Sequence, residues 1–478
     1  MIGETKHGGR ANKVSDDIIS LDREEAGAER AGCGRVCPVC GRTSREGLAT
    51  LGALDAELQA IIAANSPAGR IVAEVCPRCV RMFERARVQL HADSVVFEQG
   101  GRVLPIYMRL GADERFAGRG VTVAFLDSGF YAHPDLTTPE NRILAYHSIV
   151  AGDETTLGTP DAASWHGMMT SVVAAGNGSL SSGFYRSIAP EASVVLVKLA
   201  KTGRISEEQI RLGLEWVLAH RREYGIRVVN ISAGGDFEQP YLHNPLSQTV
   251  ERVVKEGIVV VCAVGNAGMM PGHPVLPPAS SPASIAVGGL DDQNSLDRAR
   301  RGMYRSSYGP TVDGLQKPEI IAPGIWVAAP ILPHTPTAAE AELYAKLDRA
   351  ADDELRAMIG ANAETDADLA GSTDLPTSLL RHLISIKLHE NDVISEHYKY
   401  VDGTSFAAPI VSSVVACMLE ANPALTPQQV KRILIDTAER VPDIEIDRQG
   451  WGVVGAGRAV EFALALRPPV IAGDGMTG

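Results

Sequence analysis

The sequence predicts an α/β protein: a doubly wound, mainly parallel sheet, with a small cysteine-bearing module ahead of it and a helical insertion before its longest apolar helix. Three observations predict it. Short, continuous apolar runs, at 121–126, 192–199, 227–232 and 258–264, have the length and composition of strands buried on both faces. Between them lie segments with helical periodicity and helix-start signals, and such alternation specifies parallel strands with crossover helices. Five of the seven cysteines fall before position 80, in a stretch with a different texture.

Taken in order, residues 1–30 are charged and without periodicity, and are expected to be mobile. Residues 31–102 form the module. Cys37 and Cys40 make one C-x-x-C turn, Cys76 and Cys79 a second, and Cys33 is a spare. Two such turns present four thiolates to one ion with the geometry of a structural zinc site, so Cys37, Cys40, Cys76 and Cys79 are the expected zinc ligands. Residues 51–64 between the turns have helical spacing. Arg78, Arg81, Arg85 and Arg87 read as a solvated face rather than a phosphate-binding stripe, because acidic residues offset them.

The main domain is expected over 103–468, with a tail at 469–478. The run 121–126 ends in Asp127, at the carboxyl end of a strand, where function collects in open α/β sheets. Trp165-His166-Gly167 opens a helix through Ala175. Ser206 and Gln209 form a capping box for a helix reaching about Tyr224, and Thr426, Pro427 and Gln429 open another reaching about Arg440. The strand 227–232 leads into Ala233-Gly234-Gly235, a helix covers 248–256, and the strand 258–264 leads into Gly265-Asn266; a short strand follows at 284–287. Residues 333–397 hold the insertion, with one acidic amphipathic helix at 338–359 and another at 378–388. Gly403-Thr404-Ser405 then precedes the apolar run 410–419. A serine at such a helix start is either an ordinary cap or a nucleophile beside unpaired backbone N–H groups.

The 478 residues carry 45% apolar residues, enough for a large core, and a net charge of −13, which argues against a generic nucleic-acid binder. Residues 1–20 lack an apolar signal segment and no run reaches membrane-span length, so no membrane partner is expected and a cytoplasmic, thiol-rich protein is.

Asp127-Ser128-Gly129, His166-Gly167, Asn230 to Gly235, Gly265-Asn266 and Gly403 to Pro409 resemble, in kind and order, the motifs of subtilisin-like serine proteases, over roughly 103–465. The resemblance implies an endopeptidase in which Ser405 is the nucleophile, His166 the general base, Asp127 its partner and Asn266 an oxyanion donor. It implies that Ser232, Ala233 and Gly234 pair with an extended peptide or protein substrate, opposite a wall of Ala263, Val264 and Gly265. It also admits calcium at Asp135, against which the loop 176–187 argues by its length and its lack of a matching asparagine. Met168 and Met169, where many relatives have small or polar residues, are expected to narrow the non-primed side of the cleft. The module and the insertion are expected to control the enzyme or dock a regulatory protein. A peptide ligase or cyclase using the same acyl-enzyme, and an adaptor on a degenerate protease fold, remain the alternatives.

Overall fold

The computed structural model describes residues 35–39, 43–44, 47–64, 73–81, 83–84, 103–153, 156–201, 204–270, 272 and 274–467. The chain divides into two compact units, Met1–Asp93 and Ser94–Gly478. Cys33, Cys40, Arg85, Arg87, the expected mobile start and the tail lie outside the described residues.

The first unit holds two small antiparallel ladders. β1 (Arg35–Val36) pairs with β2 (Thr43–Ser44), and β3 (Ala49–Thr50) pairs with β4 (Glu74–Val75). Between β3 and β4 lies α1 (Ala56–Ala64), shorter than the helical stretch expected from Leu51 because residues 51–53 form a 3₁₀ turn first. Among the described residues, Leu58, Ile62, Val75 and Phe83 form one apolar cluster with Cys37, Cys76 and Cys79.

In the second unit, the described residues form an eight-stranded sheet. In chain order its strands are β5 (Thr122–Asp127), β6 (Ile143–Ser148), β7 (Ser193–Lys198), β8 (Ile226–Ile231), β9 (Val259–Ala263), β10 (Ile285–Asp291), β11 (Gly302–Met303) and β12 (Ile320–Pro323). In space the order is β11-β10-β9-β8-β5-β7-β6, with β12 also on β10; every pairing is parallel except β10 with β11. β5 thus lies between the two halves of the winding, with β7 on one side and β8 on the other.

Both faces of this sheet are covered, which is why its strands read as unbroken apolar runs. Side chains alternate strictly: Val123 and Phe125 of β5 join one core, Ala124 and Leu126 the other. The first core is closed by α2 (Ser164–Ala175) and by later helices, the second by α3 (Glu207–His220) and α4 (Pro245–Lys255). The capping box of Ser206 and Gln209 forms at α3, and Asn244 caps α4 ahead of Pro245. β6 was not expected from the sequence: its apolar run, Ile143 to Tyr146, is short and gives way to His147 and Ser148, as suits a half-exposed edge strand.

β13 (Val327–Pro330) and β14 (Tyr398–Val401) pair antiparallel, and between them lie α5 (Pro336–Arg349), α6 (Leu355–Ala361), α7 (Ala367–Ala370) and α8 (Thr377–Glu390). The single helix expected over 338–359 is two. α5 stops at Ala350, whose extended backbone ends it, and α6 restarts at Leu355 so that Leu355 and Ile359 bury against Leu347, Leu380 and Ile384. This helical segment has its own apolar core.

α9 (Thr404–Ala421) is long and apolar enough to cross a membrane by composition, yet 89% of that stretch is buried inside the fold. It is the helix around which the first core is built. α10 (Pro427–Thr437), with its capping box at Thr426, and α11 (Ala456–Ala465) complete the layer.

Candidate active site

The carboxyl end of β5 delivers Asp127, which is 1% exposed. Its Oδ1 accepts the Ser128 N–H at 2.7 Å and its Oδ2 the Thr170 hydroxyl at 3.2 Å. His166 is the third residue of α2, and its Nδ1 lies 2.8 and 2.9 Å from the two carboxylate oxygens. Burial works against the imidazolium here, but the charge of Asp127 and its hydrogen bond outweigh it, so the His166 pKa is raised above the ordinary 6.5. The glycine after His166 has a steric cause. A Cβ on Gly167 would strike the Gly129 carbonyl oxygen and sit 2.9 Å from the Asp127 Cβ, so only glycine lets α2 start this close to the strand end.

Ser405 is the second residue of α9, part-exposed at the helix start. Gly403 before it has φ 133°, a conformation that favours glycine, and its N–H donates to the Gly324 carbonyl at 2.8 Å. Pro409 falls inside the first turns of α9. Having no N–H, it cannot donate to the carbonyl four residues back, which is that of Ser405. The Ser232 hydroxyl donates to that carbonyl instead, at 2.8 Å. Ser232 is itself held by the Asn230 amide at 3.1 Å, and the Ser412 hydroxyl donates to Asn230 Oδ1 at 3.0 Å. A proline in the helix and two polar residues at the end of β8 thereby fix where Ser405 stands. The Ser405 hydroxyl itself rests 3.5 Å from the Ser232 carbonyl oxygen.

Asn266 accepts two hydrogen bonds on its side-chain oxygen, from the Thr404 N–H and the Thr404 hydroxyl, both at 3.0 Å. This turns its amide nitrogen toward the helix start, 3.8 Å from where a Cβ on Gly403 would be. Asp127 and His166 thus pair at the carboxyl end of β5, and Asn266 holds the start of α9 next to Ser405; the ring of Phe406, the residue after Ser405, lies 5.9 Å from that of His166 and joins the two pairs.

Ser232, Ala233 and Gly234 line a hollow of about 400 Å³ together with Asp127, Ser128 and His166. Ala263 and Val264 are core residues, 8% and 3% exposed, and only Gly265 of that expected wall approaches the surface. Met168 is wholly buried in the core, and Met169 opens onto a different hollow, so neither narrows the one lined by Ser232 to Gly234. Trp165 and Asn230 stood within motifs of the sequence, but neither they nor Thr170 were assigned a part in the site. Only the four-residue spacing of Thr170 from His166 hinted that both would face one carboxylate.

Asp135, the residue weighed for calcium, is fully buried. One carboxylate oxygen accepts the Tyr398 hydroxyl at 2.7 Å, the other the Ser179 hydroxyl at 3.1 Å and the Leu180 N–H at 3.3 Å. Both oxygens accept hydrogen bonds, two from hydroxyls and one from a backbone N–H, which suits a structural anchor. His133 beside it is buried and caps the short helix at Pro134–Thr137, with its pKa lowered to about 4, chiefly by burial.

In the first unit the sulfurs of Cys37, Cys76 and Cys79 all lie within 4.8 Å of one another, and those of Cys37 and Cys79 are 4.0 Å apart. Thiolates at ~2.3 Å from a tetrahedral ion have sulfur–sulfur edges of about 3.8 Å, so the cluster could hold a metal ion. The Cys76 N–H points at the Cys37 sulfur and the Cys79 N–H at the Cys76 sulfur, each at 3.4 Å, an arrangement that steadies thiolate charge.

Residues 118–452 match the model of the subtilase family, Peptidase_S8. The serine protease AprX of Bacillus subtilis (strain 168) is 32% identical over 356 residues, which is 73% of this chain and 67% of that protein. Subtilisin BL of Lederbergia lenta is 32% identical over 210 residues, or 44% of this chain and 65% of that one. Among solved structures, fervidolysin from Fervidobacterium pennivorans superposes with a TM-score of 0.51 at 21% identity; 75% of this chain is covered but only 45% of that one, a likeness of fold alone. With an aspartate, a histidine and a serine helix start gathered at the strand ends of a parallel sheet, and with the family match spanning most of the second unit, this chain belongs to the subtilase family and is a subtilase-type serine endopeptidase.

Proposed function

We propose that this protein cleaves peptide bonds through an acyl-enzyme on Ser405, in a cytoplasmic setting, with an N-terminal zinc module that controls or addresses the protease. The observation that carries the chemistry is the Asp127–His166 pair, 2.8 and 2.9 Å apart, at the rim where α9 begins. Ser405 Oγ attacks the scissile carbonyl while His166 Nε2 takes its proton. Asp127 keeps Nδ1 protonated and stabilises the imidazolium that forms. To reach Nε2 the hydroxyl leaves its weak contact with the Ser232 carbonyl; such bonds commonly tighten only when substrate is bound. The oxyanion accepts hydrogen bonds from the Asn266 amide and the Ser405 N–H, both fixed before the reaction begins. His166 then returns the proton to the leaving amine, and water releases the acyl half, which lies along Ser232, Ala233 and Gly234.

Cys37, Cys76 and Cys79, with Cys40 as fourth ligand, would hold one structural zinc, which supplies folding energy to the first unit and no chemistry to the second. Cys262 and Cys417 are buried thiols in the core of the protease unit, as expected of a protein kept in a reducing compartment. The helical segment between β13 and β14 is read as an insertion in the protease domain over about 333–397, and the module boundary as falling near residue 102. A fluorophosphonate probe tests the reading. It should label the protein at Ser405 with loss of peptide turnover, and Ser405→Ala should abolish both; turnover that survives in Ser405→Ala would overturn it.

A further inference from the structure

A second hollow, of about 490 Å³, lies beside the site and is built largely by the root of the helical segment. Trp165 lines both hollows, and its ring meets His166 edge-on at 5.2 Å. It thus forms the wall between the hollow of Ser232 to Gly234 and the second one. The floor of the second hollow is apolar. Met169, Ile331 and Leu332 are 5%, 5% and 7% exposed, and Val401 closes it four residues ahead of Ser405. Its rim carries Thr337, Lys399 and Asp161. Asp161 is held at 3.2 Å by the buried Lys198 and accepts the Ser164 hydroxyl and the Ala163 N–H at the start of α2. The wall that includes Trp165 is therefore fixed to the sheet before any substrate arrives.

We propose that this hollow is a specificity pocket for the leaving half of the substrate, selecting peptides with a large apolar side chain within the first two residues beyond the scissile bond. It rests on the function proposed above, since that reading fixes the acyl half on the Ser232 side of His166. The leaving amine must then depart past the face of His166 that returns its proton, toward Trp165 and Val401. The hollow has ample room for a Leu, Met or Phe side chain on its apolar floor, and the remaining volume and the charged rim are left to the peptide backbone and solvent. Because Ile331, Leu332, Thr335 and Thr337 come from the helical segment, that segment acts by building a wall of the site.

The test uses the full-length enzyme acylated by a small peptide methyl ester, whose leaving group cannot reach the pocket. The acyl-enzyme is partitioned between water and competing acceptors, leucinamide or phenylalaninamide dipeptides against glycylglycinamide. Capture of the apolar acceptors should be favoured by about tenfold or more, as expected for filling an apolar pocket. Ala162→Trp, which plugs the hollow from an exposed rim position, should reduce that ratio to about twofold or less. Thr337→Trp does the same from the other rim and serves if the first variant fails to fold. The ratio is read within one acyl-enzyme, so it does not depend on the acylation rate. Ester turnover with equal capture of all acceptors, or a ratio unchanged in both variants, overturns the pocket alone. Absence of ester turnover overturns the proposed function with it.

Discussion

The two units of this chain are held by different means. The protease unit buries a sheet between two cores, and its site is fixed by many independent contacts: Gly167 against Gly129, Ser232 on the carbonyl that Pro409 leaves unpaired, Asn266 on Thr404. Among the described residues, the N-terminal unit has two-residue strands and a handful of buried side chains around three clustered sulfurs. An apolar cluster of that extent supplies little stability by itself, and a structural metal is one common way to supplement it. The contrast teaches that removing one contact should weaken chemistry in the large unit but dissolve structure in the small one.

The sharpest way to break this comparison is Asp127→Asn. It should lower kcat by about 10⁴ because the imidazole adopts the wrong tautomer, while the thermal transition of the protease unit persists. The same variant reports on pH. His166 must be neutral to accept the Ser405 proton, and its raised pKa places the acid limb of kcat/KM above pH 6.5 in the parent. Without the carboxylate charge only burial acts on the imidazole, so the limb should move to lower pH; a limb that stays put would remove Asp127 as the cause. Next in size is Asn266→Ala, expected to cost about 10²–10³ in kcat with little change in KM, measured on a small ester.

For the N-terminal unit, the proposed zinc should be found at one ion per chain by mass spectrometry and elemental analysis, and Cys76→Ser or a strong chelator should release it. Amide exchange over residues 35–84 should then become that of an unfolded chain, with small-ester hydrolysis by the protease unit changed by less than about twofold. Retained protection without metal would contradict the zinc assignment. Any change confined to protein substrates would point to control through the module. The smallest expected effect is that of Ser232→Ala, which strips the donor from the Ser405 carbonyl. It should cost on the order of 1–3 kcal/mol of stability in denaturant unfolding, because the carbonyl is left without its partner.

The sequence by itself determined most of the frame. Continuous apolar runs gave β5, β7, β8 and β9, because parallel strands covered on both faces need no polar alternation. Capping boxes at Ser206 and Thr426 located α3 and α10, because helix ends must satisfy their own orphan N–H groups locally. The order of the motifs also placed Asp127, His166, Ser405 and Asn266 at element ends. What only the tertiary structure decided depends on partners far away in the chain. β6 is an edge strand with only a short apolar run, and the helix expected at 338–359 breaks so that its second half can turn into the segment's own apolar core. Asp135 binds Tyr398 from 263 positions on, and Ser232 caps a carbonyl orphaned by Pro409. Met169 lines a hollow whose other walls, Ile331, Leu332 and Val401, lie far along the chain. A local pattern fixes hydrogen bonds that close within a turn and the side of an element that seeks the core; which distant group completes a polar pair or a pocket is set only when the layers pack.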